Sequence, residues 1–188
     1  MVLYKSKDFR IGLKIEIDNF PYIIMENNFV NPGKGQAFNK LKLKNIITNS
    51  IVIKTIKIGG KLKSADIFSV DVNFLYEDKS TYFFIDMKLS ESYEVLSNIV
   101  LDTKYFIKES MLCTLVLWNN DVILVKPQKF VELKVISSDT IRKTSVAAKN
   151  FKYVVLETGV SFKVPIFIKE NDIVKIDTEK KIYISRIN

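Results

Sequence analysis

Apolar residues recur at every second position in short runs along this chain, and that period constrains the fold more than any other feature. In IGLKIEID, residues 11 to 18, it places Ile11, Leu13, Ile15 and Ile17 on one face of a strand. Asn19-Phe20-Pro21 is expected to break the run before YIIMENNF resumes it. AFNKLKLKNI then carries Phe38, Leu41 and Leu43 among lysines, IVIKTIKI supplies a β-branched run over residues 51 to 58, and Gly59-Gly60-Lys61 punctuates the chain. A small antiparallel barrel is complete by Ser64.

The same habit returns twice. IFSVDVNFLY, a polar turn at Glu77-Asp78-Lys79-Ser80 and TYFFIDM open a second set of strands. Between Ser90 and Ser110 the spacing of Tyr93, Leu96 and Val100 turns helical, with Glu91 and Glu94 near its start, so one or two short helical turns are expected there. CTLVLWNNDVILVKP reads as strand, turn at Asn119-Asn120-Asp121, strand, and a stop at Pro127. A third set follows in FVELKVIS, YVVLETG, VSFKVPIFIK and DIVKIDTEKKIYISRI. Pro165 has no N–H to donate, so its strand should lie at an edge or carry a bulge. Many short strands with little helix predict an all-β chain of three small β-barrel domains, at 1–64, 65–127 and 128–188, each near the lower size limit for a self-sufficient core.

Composition excludes several function classes. The 188 residues include no histidine, which removes the commonest general base and zinc ligand and every Ser-His or Cys-His arrangement. No pair of acids is placed by a motif, so an enzyme is not the expected reading. The single cysteine, Cys113, cannot form an internal disulfide and in LCTLVLW reads as a small buried hydrophobe. No apolar run approaches the roughly 18 to 20 residues of a membrane span. MVLYKSKDFR lacks the order of a signal peptide. The expected setting is the cytoplasm, with no membrane contact.

The net charge of +8 is unevenly spread. Residues 1–64 hold 12 basic and 4 acidic side chains, residues 65–127 hold 5 and 10, and residues 128–188 hold 12 and 7. Basic ends around an acidic middle suit a chain that touches a polyanion at both ends. Lysines that merely solvate strand faces would look the same, and charge alone leaves both readings open.

One motif asks for chemistry. NPGKGQAF, residues 31 to 38, holds Lys34 between Gly33 and Gly35. It is not a phosphate loop, which needs G-x-x-x-x-G-K-[ST] between a strand and a helix, and it lacks the G-x-G-x-x-G of a dinucleotide site. As a plain hairpin it is coherent: Pro32 fixes φ, and both glycines accept positive φ in a tight turn. Lys34 is then, by residue type alone, a solvated loop cation.

The wider context adds to that. DFRIGLKIEIDNFPYIIMENNFVNPGKGQAF resembles the first domain of the bacterial elongation factor P family. The resemblance continues through KLKN and KTIK, VDVNFLYED, TLVLWNNDVILVKPQKFVEL, LETGVSFKVPIFI and IDTEKKIYISRI, nearly the whole chain at constant register. It implies a KOW-like (SH3-like) N-terminal barrel followed by two OB-fold barrels, in an L shape similar in size to a transfer RNA. It also implies a monomeric, non-enzymatic factor that binds the ribosome (ribosomal RNA and ribosomal proteins) between the peptidyl and exit sites, beside the peptidyl-tRNA. Such a factor stimulates peptide-bond formation at consecutive prolines.

Lys34 maps onto the tip lysine that many bacteria extend with a β-lysyl group, added by dedicated lysine-modifying enzymes; its counterpart in archaea and eukaryotes carries hypusine. Beyond that modification the resemblance implies no cofactor and no metal. Pro32, Gly33, Gly35 and Gln36 would support the tip, and Arg10, Lys40, Lys42, Tyr183 and Arg186 are candidate RNA contacts.

Some positions depart from the family. Thr144-Ser145-Val146 stands where relatives commonly show Gly-Asp-Thr, which puts the exit-site codon contact of that loop in doubt. Asn171 replaces a turn glycine but tolerates the left-handed region, and Lys180-Lys181 occupies the last hairpin where a glycine often sits. Tyr183 and Arg186 keep the family's Tyr-x-x-Arg ending. The alternatives are a generic OB-fold RNA-binding protein and a related paralogue with an unmodified Lys34.

Overall fold

The structure, a computed structural model, describes residues 2–138 and 150–187. Thr144-Ser145-Val146 lies outside the described residues. The described residues form three β-sheets. They are gathered into two compact units, Met1–Ser69 with Val116–Ile123, and Val70–Leu115 with Leu124–Asn188.

The first sheet contains β1 (Leu3–Lys5), β2 (Lys14–Ile17), β3 (Phe20–Val30), β4 (Phe38–Asn45), β5 (Ile51–Lys57) and β6 (Lys61–Ser64), in the order β1-β6-β2-β3-β4-β5. The period-two residues Leu13, Ile15, Leu41 and Leu43 meet Phe9, Ile24 and Leu62 in one core. Ile11 departs from the expected face. It is 70% exposed, because Gly12 at φ +87° turns the chain and the strand starts only at Lys14. Nor do Phe20 and Pro21 break the run. The turn is Asp18-Asn19, both at positive φ, and Phe20 and Pro21 open β3 opposite Ile17 and Glu16. That pair of left-handed residues matches the twist of the flanking strands.

The second sheet holds β7 (Ile67–Asp78), β8 (Thr81–Asp86), β9 (Glu91–Leu96), β10 (Leu112–Trp118) and β11 (Asp121–Pro127), ordered β11-β10-β7-β8-β9. Here the helical expectation is corrected in part. Glu91–Leu96 pairs along Thr81–Asp86 as a strand, in a register that buries Val95; helix starts afterwards, as α1 (Ser97–Val100) and a 3-10 turn over Leu101–Phe106. Acids at Glu91 and Glu94, which suit a helix start, also suit an exposed edge strand. The Asn119-Asn120 turn forms as expected, with both residues at positive φ. Cys113 is buried on β10, and burial pushes its thiol up to about 12.

The third sheet comprises β12 (Phe130–Ser137), β13 (Phe151–Leu156), β14 (Ser161–Pro165), β15 (Ile173–Asp177) and β16 (Ile182–Ile187), ordered β14-β13-β12-β15-β16. Pro165 ends the edge strand β14, where its missing donor costs no ladder bond. The expected continuation through IFIK does not form; the chain turns after Pro165 and buries Ile168 from the side. Asn171 at φ +70° and Lys181 at φ +54° take the left-handed positions without glycine.

The 3-10 turn explains why the second and third sheets share a compact unit. Its Phe106 enters the core of Val131, Leu133, Val154, Leu156, Val164 and Ile176, with its ring edge-on to Phe162 at 6.3 Å. Thr158 Oγ1 donates to the Tyr105 carbonyl at 2.9 Å. Lys108 pairs with Glu157 at 2.9 Å and Lys181 with Asp102 at 2.8 Å. A domain of about 60 residues buries a smaller fraction of its surface than a larger one does, and a shared core relieves that deficit.

Candidate functional site

Lys34 projects from a seven-residue loop, residues 31–37, between β3 and β4. The loop is wider than the tight turn expected, and only one of its glycines is left-handed: Gly35 has φ +110°, whereas Gly33 does not lie at positive φ. A Cβ on Gly33 would meet nothing within 4 Å, and one on Gly35 would meet only the Pro32 ring, at 3.9 Å. Gly33, Lys34 and Gly35 are all exposed. The lysine therefore stands on bare backbone, with no bulky neighbour to block its approach to a surface.

Two bonds tie the base of this loop to the end of β5. Ile58 N–H donates to the Ala37 carbonyl at 3.1 Å, and the Gln36 side-chain amide donates to the Ile58 carbonyl at 3.3 Å. Below them Val30 and Phe38 close the β3-β4 ladder. One level further down, buried Asn39 donates to Asn27 Oδ1 at 2.8 Å, and Asn27 donates in turn to the Phe9 carbonyl at 2.8 Å. This relay fixes the two strands that carry the tip against the segment bearing Arg10. Sequence reasoning missed it, because an asparagine in an alternating strand reads as solvent-facing.

The candidate cations differ in availability. Arg10 and Lys40 are exposed. Lys42 is engaged by Glu26, directly opposite on β3, at 2.7 Å. Lys40 and Lys42 line a shallow hollow with Glu26, Asn28 and Ile53. In the other unit, Tyr183 packs against the third-sheet core, and burial raises its phenol above the ordinary range although Arg186 works against that. Arg186 lies 3.7 Å from Asp172 and over the Phe167 ring at 6.0 Å. Arg10, Lys40 and Lys42 thus share a compact unit with Lys34, while Tyr183 and Arg186 belong to the other.

Among the described residues no cluster of acids and cysteine has the geometry of a metal site, and no helix is long and apolar enough to cross a membrane. A concavity lined by Phe74, Tyr76, Glu77, Lys108, Glu157 and Thr158 among others includes none of the tip residues. What the tip offers chemically is one exposed primary amine at the end of a tethered arm.

Comparison with known proteins settles the family. Residues 5–62 match the Elongation factor P (EF-P) KOW-like domain, residues 68–125 its OB domain, and residues 131–186 its C-terminal domain. Elongation factor P of Rhodopirellula baltica is 40% identical over 185 residues, covering 98% of this chain and 95% of that protein. The chain belongs to the elongation factor P family. Elongation factor P 2 of Chlamydia caviae is 38% identical over 189 residues, with both chains fully covered.

Among solved structures, eukaryotic translation initiation factor 5A from Methanococcus jannaschii superposes with a TM-score of 0.52 at 15% identity, over 68% of this chain and 92% of that one. An initiation factor 5A family protein from Naegleria fowleri gives 0.53 at 11% identity, over 66% and 97%. At such identities the likeness is one of fold. As a member of this family, the chain is a translation elongation factor built of a KOW-like domain and two OB-type domains.

Proposed function

We propose that this member of the family binds the ribosome between the peptidyl and exit sites and relieves stalling at consecutive prolines, with Lys34 as its effector. The carrying observation is the exposed Lys34 on a glycine-flanked loop whose base is tied to β5 through Gln36 and Ala37. Peptide transfer between prolines is slow because the prolyl nitrogen and backbone are conformationally restricted. Holding the acceptor end of the peptidyl-tRNA in a productive orientation accelerates such a step without any acid or base, since the gain is entropic. A cationic arm reaching along RNA does this through phosphate contacts, with Arg10 and Lys40 as supporting cations. The factor is then not an enzyme, its partners are ribosomal RNA, ribosomal proteins and peptidyl-tRNA, and its place of action is the cytoplasm.

Lys34 carries a β-lysyl-type extension in this reading, added by a modifying enzyme that recognises the folded KOW-like domain. The extension lengthens the arm and adds a second amine. The test is mass spectrometry of the Lys34 peptide from native cells, coupled to translation of a polyproline reporter. A lysyl-sized added mass and rescue by the native protein are the expected results. Unmodified Lys34 with no rescue would instead assign the chain to general RNA binding.

A further inference from the structure

β5 is the last strand of the first sheet, and among the described residues no strand pairs with its far side. The bond from Asn45 N–H to the Ser50 carbonyl and the bond from Ile58 N–H to the Ala37 carbonyl bracket its ladder with β4. Between them the register is constant, from Lys44 opposite Ile51 to Phe38 opposite Lys57. Bonded and unbonded pairs alternate along an antiparallel ladder, so Val52, Lys54 and Ile56 direct their backbone groups to β4, and Ile51, Ile53 and Thr55 turn N–H and C=O to the open side. Among the described residues no hydrogen bond reaches those outward groups. The edge closes only at its end, where the Lys57 carbonyl accepts from the Gly60 N–H and from Ser6 Oγ.

Proteins blunt such edges with proline, a bulge, a very short strand or an inward-pointing charge. β5 has seven residues, no proline and no bulge. Its inward charge, Lys54, shares the face of Val52 and Ile56, which pack on the core, but Asp18 neutralises it at 3.0 Å. Ile51 and Ile53 stand on the other face, 58% and 61% exposed, with Lys44 and Lys42 of β4 beside them. Glu26 engages Lys42, while Lys40 and Lys44 make no ion pair among the described residues.

We infer that the open edge of β5 is a docking site for an extended acidic polypeptide segment of another protein, which adds to the first sheet as a further strand. Main-chain bonds to Ile51, Ile53 and Thr55 supply affinity, and side chains at alternate positions supply the choice of partner. Apolar side chains lie against Ile51 and Ile53, and the carboxylates between them lie beside Lys54, in the field of the 12 basic and 4 acidic residues of 1–64. The same field disfavours a second copy of this chain, because pairing two β5 edges sets two basic surfaces together. A nucleic acid would match the lysines and leave Ile51 and Ile53 uncovered. The strand ends beside Ile58, whose carbonyl anchors the Lys34 loop through Gln36, so the partner is seated on the strand that steadies the tip. The inference goes beyond the function proposed above and does not rest on it.

The probe is the fluorescein-labelled peptide Glu-Val-Glu-Thr-Glu-Val-Glu, titrated with the full chain and read by fluorescence anisotropy. The parent should bind it, and should bind a counterpart with lysine at every glutamate about tenfold more weakly or worse. N-methylation at both valines, or instead at the two glutamates flanking the threonine, blocks opposite edges of the peptide. One of these forms should lose binding about tenfold or more and the other stay within about threefold, because only one edge of an added strand faces β5. Ile53→Glu and Thr55→Glu should each weaken binding about tenfold with melting curves unchanged, since both side chains are exposed. Absence of binding by the parent, equal binding of the two N-methylated forms, or glutamate variants that bind like the parent would overturn the strand addition. Sedimentation of the parent as a dimer that Ile53→Glu makes monomeric would overturn it in favour of a second copy. Displacement of the peptide by an oligouridylate would overturn it in favour of RNA. Lys34→Ala in the polyproline reporter tests the proposed function separately, so either reading can fail alone.

Discussion

The side-chain amide of Gln36 reaches across the open end of the first sheet to the carbonyl of Ile58, 3.3 Å away, and so joins the loop that carries Lys34 to the strand that does not. An exposed hydrogen bond of this kind contributes only about 0.5–1 kcal/mol to stability. Its weight is in position. Gln36→Ala should leave the melting temperature nearly unchanged and lower polyproline rescue severalfold, as measured by reporter translation.

Lys34 itself separates charge from modification. Lys34→Ala should abolish rescue with no loss of stability, since the side chain is exposed. Lys34→Arg keeps a cation but removes the amine that would be extended. Rescue by the arginine variant equal to the parent would show that a bare charge suffices and would sink the modified-arm mechanism.

The Asn39–Asn27–Phe9 relay predicts a stability effect beneath the tip. Asn39→Ala leaves an Asn27 oxygen without its donor in a partly buried setting, at a cost of about 1 kcal/mol. Urea denaturation of the variant should show a lower midpoint at an unchanged slope.

Two glycines make a matched pair. A Cβ on Gly60 would sit 2.6 Å from Ile56 Cγ2 and 2.9 Å from the Lys57 carbonyl oxygen, whereas one on Gly33 would meet open space. Gly60→Ala should therefore destabilise the chain by about 1–3 kcal/mol, because backbone must move. Gly33→Ala should be neutral in thermal melts; any loss of rescue it causes reports on the approach of the tip to its target.

The joint between the second and third sheets should weaken in acid. Burial works to raise the Glu157 carboxyl, but the hydrogen bond from Lys108, the Lys134 N–H and the charge of both lysines outweigh it and hold the group below its usual 4.5. A hydrogen bond from Lys181 and its charge likewise lower Asp102. For carboxylates depressed in the folded state, the stabilisation is present above the unfolded value and is lost as pH falls through the folded one. Melting temperature should thus fall as pH drops below about 4.5, and Glu157→Gln should flatten that fall.

Much of this was legible in the residues. Alternation placed Ile15, Leu41 and Leu43 on strand faces that became core, Pro165 marked an edge, and Asn119-Asn120 marked a turn, because each depends on local geometry alone. Ile11 and Glu91–Leu96 were misplaced for a common reason. A period over a few residues cannot say where a glycine turns the chain, or which of two periods a neighbouring strand will select.

What the sequence by itself determined is the all-β class, the three sets of strands, the family and the position of Lys34, since binary pattern, turn chemistry and motif all act within a few residues. Only the tertiary structure decided that the tip is a seven-residue loop tied to Ile58, that Lys42 is engaged by Glu26, that Phe106 completes another domain's core, and that Ile51, Ile53 and Thr55 line an open sheet edge. These depend on register between strands, and a pairing set by the packing of residues far apart in the chain leaves no local trace.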